Sequence, residues 1–149
     1  MFLKGVGIGV PALDFQPYVD FLTILLQSLG VTASAQYSRG DLIAVDFSSA
    51  SSEEVITVSS NLKVPSLGTS NGYLPRLRFI AETQKQFDQF LQYGLAAGGV
   101  EYEVRNSNGH KVTELQDPFT GMWHSCYYTP PVALRLKDSS TISPAPALT

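Results

Sequence analysis

Arg76 and Arg78 alternate within 75–81 (PRLRFIA), so a strand there projects both guanidinium groups from one face. Planar cations in that arrangement suit a carboxylate, phosphate or enolate oxygen, and solvated strand charges have the same spacing. In 122–128 (MWHSCYY), Trp123, Ser125 and Tyr127 share one strand face, and His124, Cys126 and Tyr128 share the other. The aromatic rings of the first set can sandwich a flat apolar molecule or fill a core. His124 and His110 are the only histidines, hence the only side chains whose ordinary pKa suits proton transfer near neutral pH. Spacing assigns neither of them a partner, and His110 follows a turn. Glu101, Glu103 and Glu114 on predicted strands, with Asp46 and Tyr37 earlier in the chain, are the remaining general-base candidates, and solvated outer faces account for most of them. Cys126 is the only cysteine, which excludes an intramolecular disulfide and a multi-cysteine metal site and reads as a buried structural thiol.

These residues sit in a chain of 149 residues, long enough for one domain with a well-formed core or two small units sharing one. Hydrophobic residues at 44% and charged residues at 15% describe an ordered globular protein. A net charge of -3 gives no attraction to a phosphate backbone or an anionic membrane, so neither nucleic acid nor a membrane is an expected partner. No apolar run reaches the ~20 residues of a membrane span, and Met1-Phe2-Leu3-Lys4 does not begin a signal peptide. The expectation is a soluble cytoplasmic protein.

The elements that must position the candidate residues come in two similar sets. Residues 3–10 (LKGVGIGV) read as a strand with Val6, Ile8 and Val10 on one face and Gly5, Gly7 and Gly9 on the other. Asp14 can cap a helix that carries Phe15, Tyr18, Val19, Leu22, Leu25, Leu26 and Leu29 at helical steps and stops at Gly30. Strands at 31–37, 41–48 and 54–59 complete a βαβββ unit. After a Ser-, Asn-, Gly- and Pro-rich connection the pattern restarts: a strand at 75–81, a capping box from Thr83 and Gln86, a helix stopped by Gly98 and Gly99, and strands at 100–105, 110–116 and 122–128. Phe21-Leu22 stands nine residues before Gly30-Val31, as Phe90-Leu91 stands nine before Gly99-Val100, which is an internal repeat. The organisation is a first unit over 1–60, a linker over 61–74, a second unit over 75–130 and a flexible tail over 131–149. The fold class is α+β, two βαβββ units forming a curved mixed sheet around a shared concave groove.

The segment LKGVGIGVPALD resembles the first strand and helix start of glyoxalase-like proteins, (I/L)DHVGIAVPDLD, with its closest matches at Val6-Gly7-Ile8, Val10-Pro11 and Leu13-Asp14. RLRF, a Gly-Gly stop, a strand after Gly109 and the Asp117-Pro118 turn are similar to the second half of the same proteins. The resemblance, over about residues 3–130, is to the glyoxalase/bleomycin-resistance/extradiol-dioxygenase superfamily, also called vicinal oxygen chelate. In its metal-dependent members the first and last strands of each unit supply His, Glu or Gln to a divalent metal. The resemblance places Gly5 and Arg76 where two histidines stand, and Ser125 where a glutamate stands, with His124 there in an alternative register. The fourth position falls among Val55, Ile56, Thr57 and Val58. A divalent ion needs three or four converging donors, so the resemblance points to the metal-independent branch, with no metal and no cofactor.

The function expected is therefore binding of a small, partly apolar or aromatic molecule in the groove. Arg76, Arg78, Trp123, Ser125, Tyr127 and Gly5 are the binding residues, and by the resemblance the Ser125 face lines the groove. A second reading is a metal-independent isomerase, cyclase or lyase in which Arg76 stabilises an enolate and His124 or a nearby carboxylate moves the proton. A third is a non-catalytic dimeric structural or regulatory module. A homodimer is implied by the resemblance and by the prevalence of two-fold assemblies.

Overall fold

The computed structural model describes residues 4–51, 53–63 and 76–131. The first unit runs β1 (Lys4–Gly9), α1 (Ala12–Leu26), a 3-10 turn (Gln27–Leu29), β2 (Thr32–Arg39), β3 (Leu42–Ser48) and β4 (Glu54–Asn61). The second runs β5 (Arg76–Ile80), α2 (Gln84–Ala96), β6 (Val100–Ser107), β7 (His110–Gln116) and β8 (Trp123–Tyr128). Both βαβββ units are thus present in the order read from the sequence. The expected linker lies mostly, and the tail almost wholly, outside the described residues.

Local chemistry explains the element ends. Helix α1 begins at Ala12 behind Pro11, two residues earlier than the expected Asp14 cap, and Pro11 makes no side-chain cap bond. The Pro11 carbonyl instead accepts the Asp14 N–H at 2.9 Å, which puts the Asp14 carboxylate in the first turn, where it complements the helix dipole. Gly30, at φ 72, supplies the left-handed turn that ends this segment. For α2, Thr83 Oγ1 accepts the Gln86 N–H at 3.1 Å, while Gln86 Oε1 accepts the N–H of Glu82 at 2.7 Å.

Each unit builds one four-stranded sheet, in the orders β1-β4-β3-β2 and β5-β8-β7-β6. In each, the first and last strands pair in parallel and the other pairs are antiparallel. Even the register repeats: Gly5 and Gly7 face Val55 and Thr57, as Arg76 and Arg78 face Trp123 and Ser125.

One hydrophobic core joins the units. Ile8, Val45, Phe47 and Val58 of the first sheet, Leu77, Leu115, Cys126 and Tyr128 of the second, and both helices belong to it. Helix α1 buries Phe15, Tyr18, Val19, Phe21, Leu22, Leu25 and Leu26, an apolar arc wide enough to serve more than its own sheet. Tyr18 and Phe21 pack against His124 of β8, and Leu25 approaches Gly94 of α2. Helices between sheets mean that the opposite, outer sheet faces turn away from each other. The fold class read from the sequence, α+β with two βαβββ units, is the one observed, and within the chain the two sheets share the core. Among the described residues no helix is long and apolar enough to cross a membrane.

Candidate functional site on the outer face of the second sheet

Strand alternation settles which residues meet. Leu77, His124 and Leu115 are paired neighbours that point inward, so Arg76, Arg78, Trp123, Ser125, Tyr127, Glu114 and Gln116 share the outer face. The pairing forms two adjacent rows, Arg78–Ser125–Glu114 and Arg76–Trp123–Gln116. Arg76 leaves its own row to donate from Nη1 to Glu114 Oε2 at 2.9 Å, and its guanidinium carbon lies 5.9 Å from the centre of the Trp123 ring. From the other side Arg105 Nη2 donates to Glu114 Oε1 at 2.7 Å. Glu114, only 6% exposed, is therefore held by two cations, and its hydrogen bond and charge raise the pKa of Arg105 further. Ser125 is fully buried beside this triad, and its hydroxyl has no partner among the described residues. Arg78 is exposed and forms no ion pair among the described residues.

The expected binding residues of the second unit are thus gathered on one face. Arg105 is the residue that the sequence reading passes over. Its signal was the antiparallel register, which sets Glu103 opposite Glu114 and Arg105 two pairs further along, on the same face.

His124 lies elsewhere. It is on the inner face, fully buried, and Tyr18 Oη is 2.8 Å from its Nε2, while its Nδ1 lies 3.1 Å from the Met122 carbonyl. A carbonyl only accepts, so Nδ1 carries the proton and Nε2 accepts from the tyrosine hydroxyl. Burial lowers the His124 pKa to about 4, against a small opposing effect of the Met122 bond, and it raises that of Tyr18. The structure therefore does not bring together His124 and Arg76, the two residues read as catalytic, but places them on opposite faces of the sheet. The alternative register, with His124 at the family's ligand position, is excluded by the same geometry. Cys126 is also buried, its thiol pushed up to about 12. His110 meets Thr129 at the surface, on β7 four residues before Glu114.

Gly5 lies on the outer face of the first sheet, which points away from Arg76, so one chain does not bring the two together. Around Gly5, Gly7 and Gly9 the face is bare; a Cβ at Gly7 or Gly9 would meet nothing within 4 Å. Beside them Asp46 accepts from Thr57 Oγ1 at 2.7 Å and from Tyr37 Oη at 3.4 Å. Asp46 pairs with Thr57 as Glu114 pairs with Ser125, so each outer face carries a carboxylate next to a hydroxyl.

The positions that the resemblance equates with metal ligands carry poor donors. Gly5 offers no side chain, Arg76 is a cation, and Ser125 is a neutral hydroxyl. Among the described residues no three His, Cys, Asp or Glu side chains cluster to hold an ion.

The paired βαβββ units, with a parallel outer pair in each sheet, define the fold of glyoxalase/bleomycin resistance protein/dioxygenase structures. A glyoxalase/bleomycin resistance protein from Albidiferax ferrireducens matches with a TM-score of 0.62 at 22% identity, over 85% of this chain and 98% of its own. TnmS3, an antibiotic binding protein from a Streptomyces species, matches with a TM-score of 0.61 at 12% identity, over 87% of this chain and 97% of its own. A glyoxylase/bleomycin resistance protein/dioxygenase domain from a Frankia species gives 0.64 at 12% identity, over 87% and 98%. No protein-family model and no curated protein matches the sequence.

Proposed function

We propose that this protein is a metal-independent small-molecule binder of the glyoxalase fold, taking a partly apolar or aromatic ligand on the outer face of the second sheet. The observation that carries the reading is the Arg76–Glu114–Arg105 triad beside Trp123, in which Arg76 stands where the resemblance places a metal-binding histidine. Trp123 and Tyr127 flank Ser125 on β8 and offer ring faces to a flat body, and Arg76, fixed by Glu114, orients it. One solved neighbour of the same fold is an antibiotic binding protein, which supports the same ligand class.

Among the described residues Arg76 and Arg78 stand exposed on this face, while Ser125 and Glu114 are buried. Clefts of about 380 and 320 Å³ lie on the first unit instead, between α1 and β2 and beside Gly9 and Asn61. A ligand groove therefore calls for a second wall, and a homodimer supplies it by setting the glycine-lined outer face of one protomer against the arginine face of its partner. The free edges of β1 and β5 are available for that meeting. The enzyme reading finds less support, because Glu114 is held in ion pairs by two arginines, His124 faces inward and His110 is engaged with Thr129.

A thermal-shift screen of flat aromatic compounds tests the proposal. A ligand at a hundred times its Kd adds about 2.7 kcal/mol, a rise of several degrees. The shift should survive chelator treatment and disappear in Trp123→Ala. A shift that Trp123→Ala leaves intact would move the site elsewhere.

A further inference from the structure

Resting on that reading of the face, the geometry points to a single oxyanion subsite on it: we infer that Arg78 and the Ser125 hydroxyl receive a carboxylate carried by the aromatic ligand. Arg76 and Arg105 are then positioning residues whose charge Glu114 holds in check.

The outer face carries three arginines and two glutamates, Glu103 and Glu114, in a chain whose net charge is -3. Their engagement is unequal. Glu114 takes Arg76 at 2.9 Å and Arg105 at 2.7 Å, and Glu103 stands 3.7 Å from Arg105. Arg78 has no carboxylate among the described residues, so the cation available to an incoming anion is Arg78.

The second observation is independent of charge. Ser125, the cross-strand neighbour of Arg78, is fully buried with an unpartnered hydroxyl, although Glu114 is its neighbour on the other side. A buried polar group without a partner is unfavourable, and an arriving oxygen relieves it. Guanidinium and hydroxyl side by side offer a carboxylate a charge-assisted bond and a neutral one. Trp123 and Tyr127, one step along the same face on either side of Ser125, place the aromatic body next to that carboxylate.

The test uses the full chain and two probes of equal shape, 2-naphthoate and neutral 2-naphthamide, titrated by calorimetry. Wild-type protein should prefer the carboxylate by about tenfold or more. Arg78→Ala should abolish the preference, Arg78→Lys should keep part of it, and Ser125→Ala should reduce it a few-fold, each at unchanged circular dichroism. Glu114→Gln should increase naphthoate affinity, because it releases the charge of Arg76 and Arg105. A purely structural role for Arg78 predicts equal losses for both probes and would overturn the inference. Equal binding of both probes to the wild type would overturn the subsite while leaving aromatic binding intact. Binding of neither would overturn both.

Discussion

The buried pair of Tyr18 and His124 has measurable consequences. Tyr18→Phe removes the one donor to Nε2 and leaves a fully buried acceptor unsatisfied, so it should lower stability by about 1–3 kcal/mol in urea unfolding. The imidazole also makes stability depend on pH. Its folded pKa of about 4 lies below the unfolded value of 6.5, so the unfolded chain binds the proton first. The contribution is complete above pH 6.5 and is lost as pH falls toward 4, at most on the order of 3 kcal/mol. Urea midpoints from pH 7 to 4 should fall more steeply in the wild type than in His124→Gln; equal slopes would contradict the burial argument. Cys126, with its thiol pushed up to about 12, should react with a thiol reagent only after unfolding. At this scale much was legible. Period-two alternation separates Arg76, Arg78, Trp123, Ser125 and Tyr127 from His124 and Cys126 before any coordinates exist. Which set faces inward was legible only through the resemblance, because both faces of β8 carry aromatic side chains and the choice depends on α1, about a hundred residues away in sequence.

At the scale of elements the repeat does the positioning. Both units carry the same pairing register, so a strand read once could be read twice, and turn chemistry at Gly30, Thr83 and Asn108-Gly109 bounds the segments. The start of α1 differed because Pro11 already sets an extended backbone from which a helix can begin, making the Asp14 cap unnecessary. Two glycines of α2 and its exit show close packing that hydrophobic patterning does not reveal. A Cβ at Gly99 would stand 2.8 Å from the backbone oxygen of Gly94, and one at Gly94 would stand 2.8 and 2.9 Å from the Leu115 methyls. Gly99→Ala should therefore destabilise by about 1–3 kcal/mol through overpacking, read as a lowered Tm. The change at Gly94 should be milder, since a leucine side chain gives way more easily than backbone, and helix propensity favours the alanine.

For the whole molecule, the helices between the sheets turn the two outer faces apart, and a groove with two walls requires a partner protomer. Light scattering should give twice the chain mass of 16.2 kDa, and a monomer at micromolar concentration would remove the second wall from the account. This level was the least legible: the same two units could close on each other or turn back to back, and only the apolar arc of α1 decides between them. The most direct measurement is the affinity of chelator-treated protein for 2-naphthoate, with and without added Mn²⁺, Ni²⁺ or Zn²⁺. The account predicts saturable binding that the metals leave unchanged; binding that appears only when a metal is added would contradict it.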